Sequence, residues 1–273
     1  MKAAAMILAA GRGERMRPLT DTTPKPLLMV RGKPLMQWPM EALARGGFTQ
    51  LVVNTAWLGE QVSTYFGDKK ELLPTSCIDN LLLINEQTTI SYSQEGRDFG
   101  GPLETAGGIV RALPLLSDVF WALAGDVFAP DFVFSQTAVE LFRHSGKLAH
   151  IWLVPNPPHN PQGDFGLSAD GLALNLAADA DQPKYTYSTI GLYRSALFAP
   201  PYCDIPPGNP QGTKAALAPL LRMAMDKGRV SAEIYPDGWT DVGTPDRLKS
   251  LNQSENQPTS DQARPSAAAQ STR

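Results

Sequence analysis

Cysteine and histidine are scarce in this chain. Its 273 residues include two cysteines, Cys77 and Cys203, and three histidines. The cysteines lie far apart and match no metal-ligand spacing, so we expect two free thiols in a reducing compartment rather than a disulfide framework. His144, His150 and His159 fall outside every motif described below. We therefore expect each histidine to be structural or on the surface.

Long apolar runs and an excess of positive charge are also missing. The apolar stretch at residues 5–10 is followed by Arg12, Glu14 and Arg15, too early for a signal peptide or a membrane span to be completed. The net charge of −3 and the isoelectric point of about 5.7 argue against a general binder of nucleic acids or anionic membranes. We expect a soluble cytoplasmic protein without nucleic-acid or membrane partners.

The apolar residues that are present occur in short, regularly spaced runs. The hydrophobic fraction of 42% and the charged fraction of 19% are typical of a globular protein, and the length allows one large α/β domain or two small ones. Apolar runs at residues 5–10, 51–54 and 120–124 alternate with segments of helical periodicity. This alternation predicts an α/β fold with a Rossmann-like, mostly parallel sheet flanked by helices.

Three stretches depart from that alternation. Residues 166–174 resemble a β-hairpin and residues 185–193 alternate like a strand, which predicts a small antiparallel β insert over the mouth of the sheet. Residues 68–89 are either a surface insertion or an edge hairpin. Apolar periodicity ends near the C-terminus, so we predict one domain over residues 1–252 and a disordered tail over residues 253–273.

A basic, glycine-containing loop follows the first predicted strand. Gly11 and Gly13 let backbone N–H groups approach an anion closely, and the basic side chains of Arg12, Arg15, Arg17 and Lys25 can neutralise it. These residue types in this order predict a phosphate site at the carboxyl end of the strand.

Two standard phosphate motifs fit this loop poorly. A dinucleotide fingerprint needs a third glycine where Met16 stands, and an acidic residue after the second strand, where Asn54 stands. A P-loop needs Gly-Lys-Ser or Gly-Lys-Thr after a strand, and neither follows one here. The remaining interpretation is a longer basic loop that wraps a triphosphate.

Two further positions favour a ligand site. The glycine-rich residues 100–108 form a loop suited to a flat or phosphate-bearing ligand, or alternatively the flexible start of the helix predicted at residues 109–116. Asp126 stands just beyond the strand at residues 120–124, where open α/β sheets place ligand and metal contacts. The alternative for Asp126 is a helix cap or a turn former.

Together, these motifs resemble the signature of the sugar-1-phosphate nucleotidyltransferase family. Residues 8–20 match its pattern Leu-Ala-Ala-Gly-x-Gly-x-Arg-Met-x-Pro-x-Thr, and residues 24–26 match Pro-Lys-Pro. Gly125-Asp126 and residues 239–244 follow in the family's order and spacing. The resemblance reaches to about residue 252. It implies the nucleotidyltransferase, or glycosyltransferase-A, type of Rossmann-like fold.

The resemblance also implies a set of site residues. Asp126 and Asp241 would hold Mg²⁺, which prefers few carboxylates together with phosphate oxygens and water. Arg15 and Lys25 would be catalytic, contacting the triphosphate and the leaving pyrophosphate, and Asp164 would contact the sugar phosphate. The implied nucleotide-binding residues are Ala10, Gly11, Arg12, Gly13, Lys25, Glu104, Thr105, Gly107 and Gly108.

Residues 103–109, 163–165 and 220–222 favour one branch of the family, which transfers a uridylyl group from UTP to N-acetylmuramic acid 1-phosphate in peptidoglycan recycling. The alternatives are transfer to mannose 1-phosphate from GTP, a glucose-1-phosphate nucleotidyltransferase, or a nucleotide-sugar-binding regulator without activity. Thr189 stands where the branch pattern has glycine, and Lys184 is a candidate for a second sugar-phosphate contact. We expect a monomer or a homodimer.

Overall fold

The computed structural model of the chain describes residues 4–67, 69–70 and 88–253. Most of the segment at residues 68–89 therefore lies outside the described residues, and so does the predicted tail from residue 254 onward. Within the described residues, no helix is both long and apolar enough to cross a bilayer.

Strands and helices alternate along the first half of the chain, as the apolar runs predict. The strands are β1 Ala5–Leu8, β2 Met29–Val30, β3 Lys33–Pro34, β4 Gln50–Thr55, β5 Lys69–Lys70, β6 Thr88–Gln94, β7 Val119–Ala124, β8 Val127–Phe128, β9 Ala149–Val154, β10 Phe165–Leu167, β11 Ala173–Leu174, β12 Lys184–Arg194, β13 Val230–Ile234 and β14 Thr240–Asp241. The helices are α1 Gln37–Arg45, α2 Gly59–Phe66, α3 Glu95–Phe99, α4 Glu104–Ala112, α5 Gln136–His144, α6 Leu217–Met225 and α7 Pro245–Gln253.

Ten of these strands form one mixed sheet with β1 near its centre. β1 pairs in parallel with β4 on one side and with β7 on the other, and β4 pairs in parallel with β6. Beyond β7, the antiparallel β12 connects to β9, and β13 pairs in parallel with β9. The prediction of a mostly parallel sheet is confirmed.

Helices cover both faces of this sheet. Ile7 of β1 packs in one apolar cluster with residues of α1, α2 and α5, whereas its neighbour Met6 packs in a second cluster with residues of α4 and α6. Because β1 is buried on both faces, its residues are uniformly apolar rather than alternating. Burying a side chain such as that of Ile7 contributes about 1.5–3 kcal/mol. The core thus fixes β1, and β1 fixes the start of the loop that follows it.

The antiparallel insert is also confirmed. β10 pairs with β11 and with the first half of β12, all antiparallel, at the edge of the sheet where β7 ends. A separate two-stranded sheet pairs β8 with β14. This small sheet brings together segments that are more than a hundred residues apart in sequence.

At residues 104–108 the structure decides between the two alternatives. These residues are not a loop but form the first turns of α4, which begins at Glu104 rather than at residue 109. Gly107 and Gly108 are helical positions where the chain packs closely: a Cβ at Gly107 would lie 2.6 Å from the carbonyl oxygen of Thr213, and one at Gly108 would lie 2.6 Å from Glu95 Oε1. Glycine is needed here for close packing within a helix, which a glycine-rich sequence does not distinguish from a loop.

Candidate active site

A cavity of about 700 Å³ opens at the carboxyl ends of β1, β4 and β7. Ligands bind at this edge in open α/β sheets. Eight of the predicted site residues line the cavity: Ala10, Gly11, Gly13, Arg15, Lys25, Glu104, Thr105 and Asp126. The other predicted residues lie outside the described lining: Arg12, Gly107, Gly108, Asp164 and Asp241.

The cavity has two sides, which are built from different parts of the chain. The loop wall consists of the lining residues from the loop after β1, together with Asn54, Glu95, Glu104 and Thr105. The strand wall consists of Tyr187 and Thr189 on β12. Asp126 follows β7, which lies between β1 and β12 in the sheet, so this carboxylate stands between the two walls.

The loop after β1 takes its shape from Gly13. Its φ of 69° lies in the left-handed region, and a Cβ there would lie 3.0 Å from the side chain of Thr20. Thr20 is buried and its hydroxyl donates to the carbonyl of Gly13, while Met16 is buried in an apolar cluster beneath the loop. Glycine is favoured at this position because it tolerates positive φ. The loop is therefore held in place by the Thr20 hydroxyl and by the buried side chain of Met16.

The three arginines of this loop have different surroundings. Arg12 and Arg17 both pair with Asp21, at 3.1 and 2.8 Å, and the Arg12 guanidinium stacks over the Trp57 ring at 3.7 Å. Arg15 forms no ion pair with any described residue and lines the cavity. Arg15 is thus available to an anionic ligand, whereas Arg12 is engaged in holding the loop.

Lys25 and Asp126 meet on the floor of the cavity. The Lys25 ammonium lies 2.5 Å from Asp126 Oδ2, and its side chain is 11% exposed against 36% for Asp126. A largely buried ammonium beside a carboxylate gives the site a cation that can contact phosphate and an oxygen that can contact a metal ion.

Asp126 and Asp241 are brought together by the sheet of β8 and β14. Asp241 pairs with Val127, the residue after Asp126, and the backbone N–H of Val242 donates to the Asp126 carbonyl at 2.8 Å. The backbones of two aspartates that lie more than a hundred positions apart in sequence are therefore adjacent. Backbone pairing, rather than side-chain contact, fixes their relative position.

Asp241 has two nitrogen-bearing neighbours, an arginine and a histidine, that the sequence reasoning missed. Arg247 Nη1 donates to Asp241 Oδ2 at 2.5 Å, and His159 Nε2 lies 2.9 Å from Oδ1. Oδ1 is nonetheless buried without a hydrogen bond from any described residue, so the histidine is close but not aligned. His159 is exposed and contacts Asp241. Nothing in its local sequence indicated this contact, which depends on how residues 155–165 fold back.

A divalent cation fits these residues. Asp241 Oδ1 is a buried carboxylate oxygen without a hydrogen bond, Asp126 is partly open to the cavity, and oxygen ligands are what Mg²⁺ prefers. Among the described residues there is no cluster of three or more His, Cys, Asp or Glu side chains arranged for a metal. Two carboxylates would leave most positions around the ion to phosphate and water, which suits a substrate-bound cation.

A buried polar chain connects the ends of β1 and β4 to α4. Asn54 Oδ1 accepts from the Ala9 N–H at 2.7 Å, and its Nδ2 donates to Glu95 Oε1 at 2.7 Å. Glu95 Oε2 accepts from the Leu103 N–H at 2.8 Å, next to Glu104. Burial raises the pKa of Glu95, while the bonds from Leu103 and Asn54 partly oppose that rise. Asn54 lies near the end of β4, as Asp126 lies just after β7, so its position in the sequence could have identified it as a site residue.

Asp164 and Lys184 are engaged in local contacts. Asp164 Oδ2 accepts from the Tyr187 N–H at 2.8 Å and from Asn160 Nδ2 at 3.3 Å, while the Lys184 ammonium donates to the Ala177 carbonyl at 2.5 Å. Asp164 thus braces the start of β12. The sugar contacts anticipated for Asp164 and Lys184 stay predictions.

Comparison with known proteins agrees with this geometry. The sequence model of the family described as Nucleotidyl transferase matches residues 4–257. The chain belongs to the nucleotidyl transferase family. This match confirms the resemblance that the sequence motifs indicated.

Individual members of the nucleotidyl transferase family are similar over most of the chain. An N-acetylmuramate alpha-1-phosphate uridylyltransferase of Neisseria meningitidis serogroup B is 46% identical over 90% of this chain and 95% of its own length. A UTP–glucose-1-phosphate uridylyltransferase of Synechocystis is 30% identical over 88% of this chain and 60% of its own length. The crystal structure of a candidate glucose-1-phosphate thymidylyltransferase from Bacillus anthracis superimposes with a TM-score of 0.68, at 18% identity, over 95% of this chain and 97% of that one. This last likeness concerns the fold.

Proposed function

We propose that this protein transfers a uridylyl group from UTP to N-acetylmuramic acid 1-phosphate with Mg²⁺, giving UDP-N-acetylmuramic acid and pyrophosphate in peptidoglycan recycling. Arg15, Lys25 and Asp126 line one cavity, and Asp241 lies on the strand that pairs with the residue after Asp126; this grouping carries the reaction type. The choice of sugar and base is supported by the Neisseria relative, which matches along 95% of its length. We infer a cytoplasmic location, because the proposed reaction uses UTP.

The chemistry needs no general base. The sugar-phosphate oxygen is already anionic and attacks the α-phosphorus of UTP, forming one P–O bond. The bond from the α-phosphorus to the oxygen that bridges it to the β-phosphorus breaks, and pyrophosphate leaves with that oxygen. Bringing two polyanions together and stabilising the developing charge are then the main tasks of the protein.

The described side chains match those tasks. Arg15 and Lys25 supply positive charge where the triphosphate and leaving pyrophosphate would lie, and the open space beside Gly11 leaves room for phosphate next to the backbone. Asp126 and Asp241 would hold the Mg²⁺. When bound, the ion neutralises phosphate charge and orients the phosphates.

The test is pyrophosphate release by the purified chain. We expect turnover with UTP and N-acetylmuramic acid 1-phosphate, loss of turnover with EDTA, and recovery with added Mg²⁺. Faster turnover with GTP and mannose 1-phosphate, or with UTP and glucose 1-phosphate, would overturn the substrate assignment but leave the reaction type. Binding of UTP without pyrophosphate release from any sugar phosphate would favour a nucleotide-sugar-binding regulator instead.

A further inference from the structure

The two carboxylate oxygens of Asp241 have different surroundings. Oδ2 accepts a hydrogen bond from Arg247 Nη1 at 2.5 Å. Oδ1 is buried and accepts no hydrogen bond from any described residue. The His159 imidazole lies 2.9 Å from Oδ1, but its side chain is on a turn and 34% exposed, so the ring can move aside for an ion. One oxygen of this carboxylate is thus held, and the other keeps its lone pairs.

Arg247 contacts the backbone of Asp241 as well as its side chain. The same Nη1 donates to the Asp241 carbonyl at 2.9 Å. One guanidinium nitrogen therefore bridges the carboxylate and the main chain of a single residue. This bridge restricts the side-chain torsions of Asp241, because the carboxylate cannot rotate without breaking a charge-assisted hydrogen bond. Oδ1 is fixed in place as a result, although no described residue bonds to it.

Helix α7 holds Arg247 firmly. At the start of the helix, the Arg247 N–H donates to the Thr244 hydroxyl at 3.4 Å, and the Leu248 N–H donates to the Thr244 carbonyl at 3.2 Å. Further along, Leu248 and Leu251 pack against a buried apolar cluster. The backbone of Arg247 therefore cannot shift without disturbing both the helix start and this packing.

The apolar cluster beneath α7 also supports the proposed metal site. It contains Met16 from the loop after β1, Phe128 from β8, and Val242, the residue after Asp241. Helix α7 thus rests on the same packed residues as the phosphate loop and the small sheet of β8 and β14. Arg247 and the carboxylate that it contacts are held by one common support.

Gly243 is the point where this arrangement reaches the cavity. Gly243 lines the cavity, and a Cβ there would lie 3.0 Å from Arg247 Nη1, 3.2 Å from Asp241 Oδ2 and 3.2 Å from Arg15 Nη2. Two arginines and one aspartate therefore surround the backbone of Gly243. The charge of Arg247 is engaged by Asp241, whereas Arg15 lines the cavity without an ion pair to any described residue. The two arginines thus have different tasks.

Stability alone explains this contact poorly. The side chains of Arg247 and Asp241 are 19% and 22% exposed, and ion pairs that water can reach contribute little to folding. Partners that orient a metal ligand matter more, because their loss typically weakens metal binding by about tenfold to a hundredfold. A bridge that fixes one carboxylate oxygen and leaves the other without a partner suits the second task.

We propose that Arg247 is a positioning residue, which holds Asp241 Oδ2 and so keeps Oδ1 oriented to bind the divalent cation. This inference deepens the proposed function, because it rests on the Mg²⁺ site of that reaction. Arg247 acts through Asp241 and contacts neither the nucleotide nor the sugar phosphate.

The test compares Arg247→Met, which removes the guanidinium but keeps a long side chain, with Arg143→Met. Arg143 is the matched control, because it also lies on a helix with Nη1 2.5 Å from a carboxylate, that of Glu140, but is outside the described cavity lining. Mn²⁺ serves as the probe for the metal site. Its binding to each purified protein in the presence of UTP is measured by the enhancement of water-proton relaxation.

Arg247→Met should weaken Mn²⁺ binding about tenfold. The affinity for UTP in EDTA should stay within about twofold, and the melting temperature within about 2 °C, because neither depends on the orientation of Asp241. In pyrophosphate release, the variant should need about tenfold more Mg²⁺ for its half-maximal rate, and saturating Mg²⁺ should recover most of kcat. Arg143→Met should leave all of these quantities unchanged.

Four outcomes would overturn the role of Arg247. Unchanged Mn²⁺ binding would show that the bridge does not orient a metal ligand, and tighter binding would show that repulsion between Arg247 and the ion outweighs it. Weaker UTP binding in EDTA would make Arg247 a phosphate contact. A lower melting temperature, with a loss of kcat that Mg²⁺ does not recover, would make it a structural residue.

Failure of the proposed function gives a different result. A parent protein that binds Mn²⁺ and UTP but releases no pyrophosphate with any sugar phosphate would overturn that function, while the effect of Arg247→Met on Mn²⁺ binding would still stand. A parent protein that binds no Mn²⁺ would overturn the present inference.

Discussion

The loop wall and the strand wall of the cavity are built in different ways. The loop wall comes mostly from two short stretches, the loop after β1 and the start of α4, whose residue types and spacings are readable in the sequence. The strand wall depends on a bulge in β12 that is braced by Ser188, Trp152 and Trp239 from three separate segments. A motif therefore reveals the first wall, while the second depends on tertiary contacts.

The two walls also suit different tasks, polyphosphate binding and sugar selection. Binding a polyphosphate needs backbone N–H groups and positive charge, which a contiguous loop can supply. Selecting a sugar needs a surface of particular shape, which is assembled from side chains that are distant in sequence. The predictions that follow test this division, beginning with the carboxylates between the two walls.

The largest expected effect concerns Asp126 and Asp241. Asp126→Asn and Asp241→Asn should each lower kcat by about a thousandfold or more, because each change removes a proposed metal ligand and a charge at the point of transfer. Pyrophosphate release at saturating substrate measures this. Asp170→Asn, at an exposed position, is the control. Near-normal activity in either variant, with an unchanged melting temperature, would contradict the metal assignment.

An intermediate effect is expected at Glu95, the buried carboxyl of the loop wall that bonds to Asn54 and to the backbone of Leu103. Glu95→Gln replaces one acceptor oxygen with a donor that faces Asn54 Nδ2 or the Leu103 N–H. We expect a loss of about 1–3 kcal/mol in the free energy of unfolding and a several-fold higher KM for UTP. The KM for the sugar phosphate should change less. Equal changes in both would show that the two walls are not independent. Glu60→Gln, on an exposed part of α2, is the control.

The difference in unfolding free energy between the parent protein and Glu95→Gln should depend on pH. Burial raises the pKa of Glu95 above 4.5, so the folded state binds this proton more tightly than the unfolded chain does. The unfolding free energy of the parent protein should therefore fall, relative to Glu95→Gln, as pH rises from about 4.5 through the raised pKa. Above that pKa the difference should level off. Denaturant titrations across this range measure it, and a difference that grows in the opposite direction would show that ionised Glu95 is favoured by folding.

The smallest effect is expected at Arg12. Arg12→Lys keeps the charge but loses the stacking on Trp57 and the bond to the Thr20 carbonyl, which should cost about 1 kcal/mol of stability. Arg17→Lys, whose ion pair is more exposed, should cost close to nothing. The KM for UTP should be unchanged in both. A large rise for Arg12→Lys alone would instead support the nucleotide contact predicted from the sequence and make Arg12 a direct part of the loop wall.

The sequence predicted the features that depend on local patterns and missed those that depend on contacts between distant segments. Apolar periodicity predicted the mostly parallel sheet and the antiparallel insert, because burial on one or both faces of a strand leaves a pattern in the chain. At residues 104–108 the glycine-rich sequence left a loop and a helix start as alternatives, because glycines such as Gly107 and Gly108 that serve close packing inside a helix look the same in the sequence. His159 and Arg247 could not have been found, since their contacts with Asp241 depend on how distant segments meet.

The sequence by itself determined the type of site and its position. An apolar strand that ends in glycines and basic residues places a phosphate loop at the edge of the sheet, because residue type, spacing and backbone freedom are local properties. The tertiary structure decided which carboxylate oxygen stays without a hydrogen bond from the described residues, which arginine remains available, and which residues of β12 line the cavity. Those outcomes depend on pairing across more than a hundred residues, and long-range packing energies leave no local pattern in the chain.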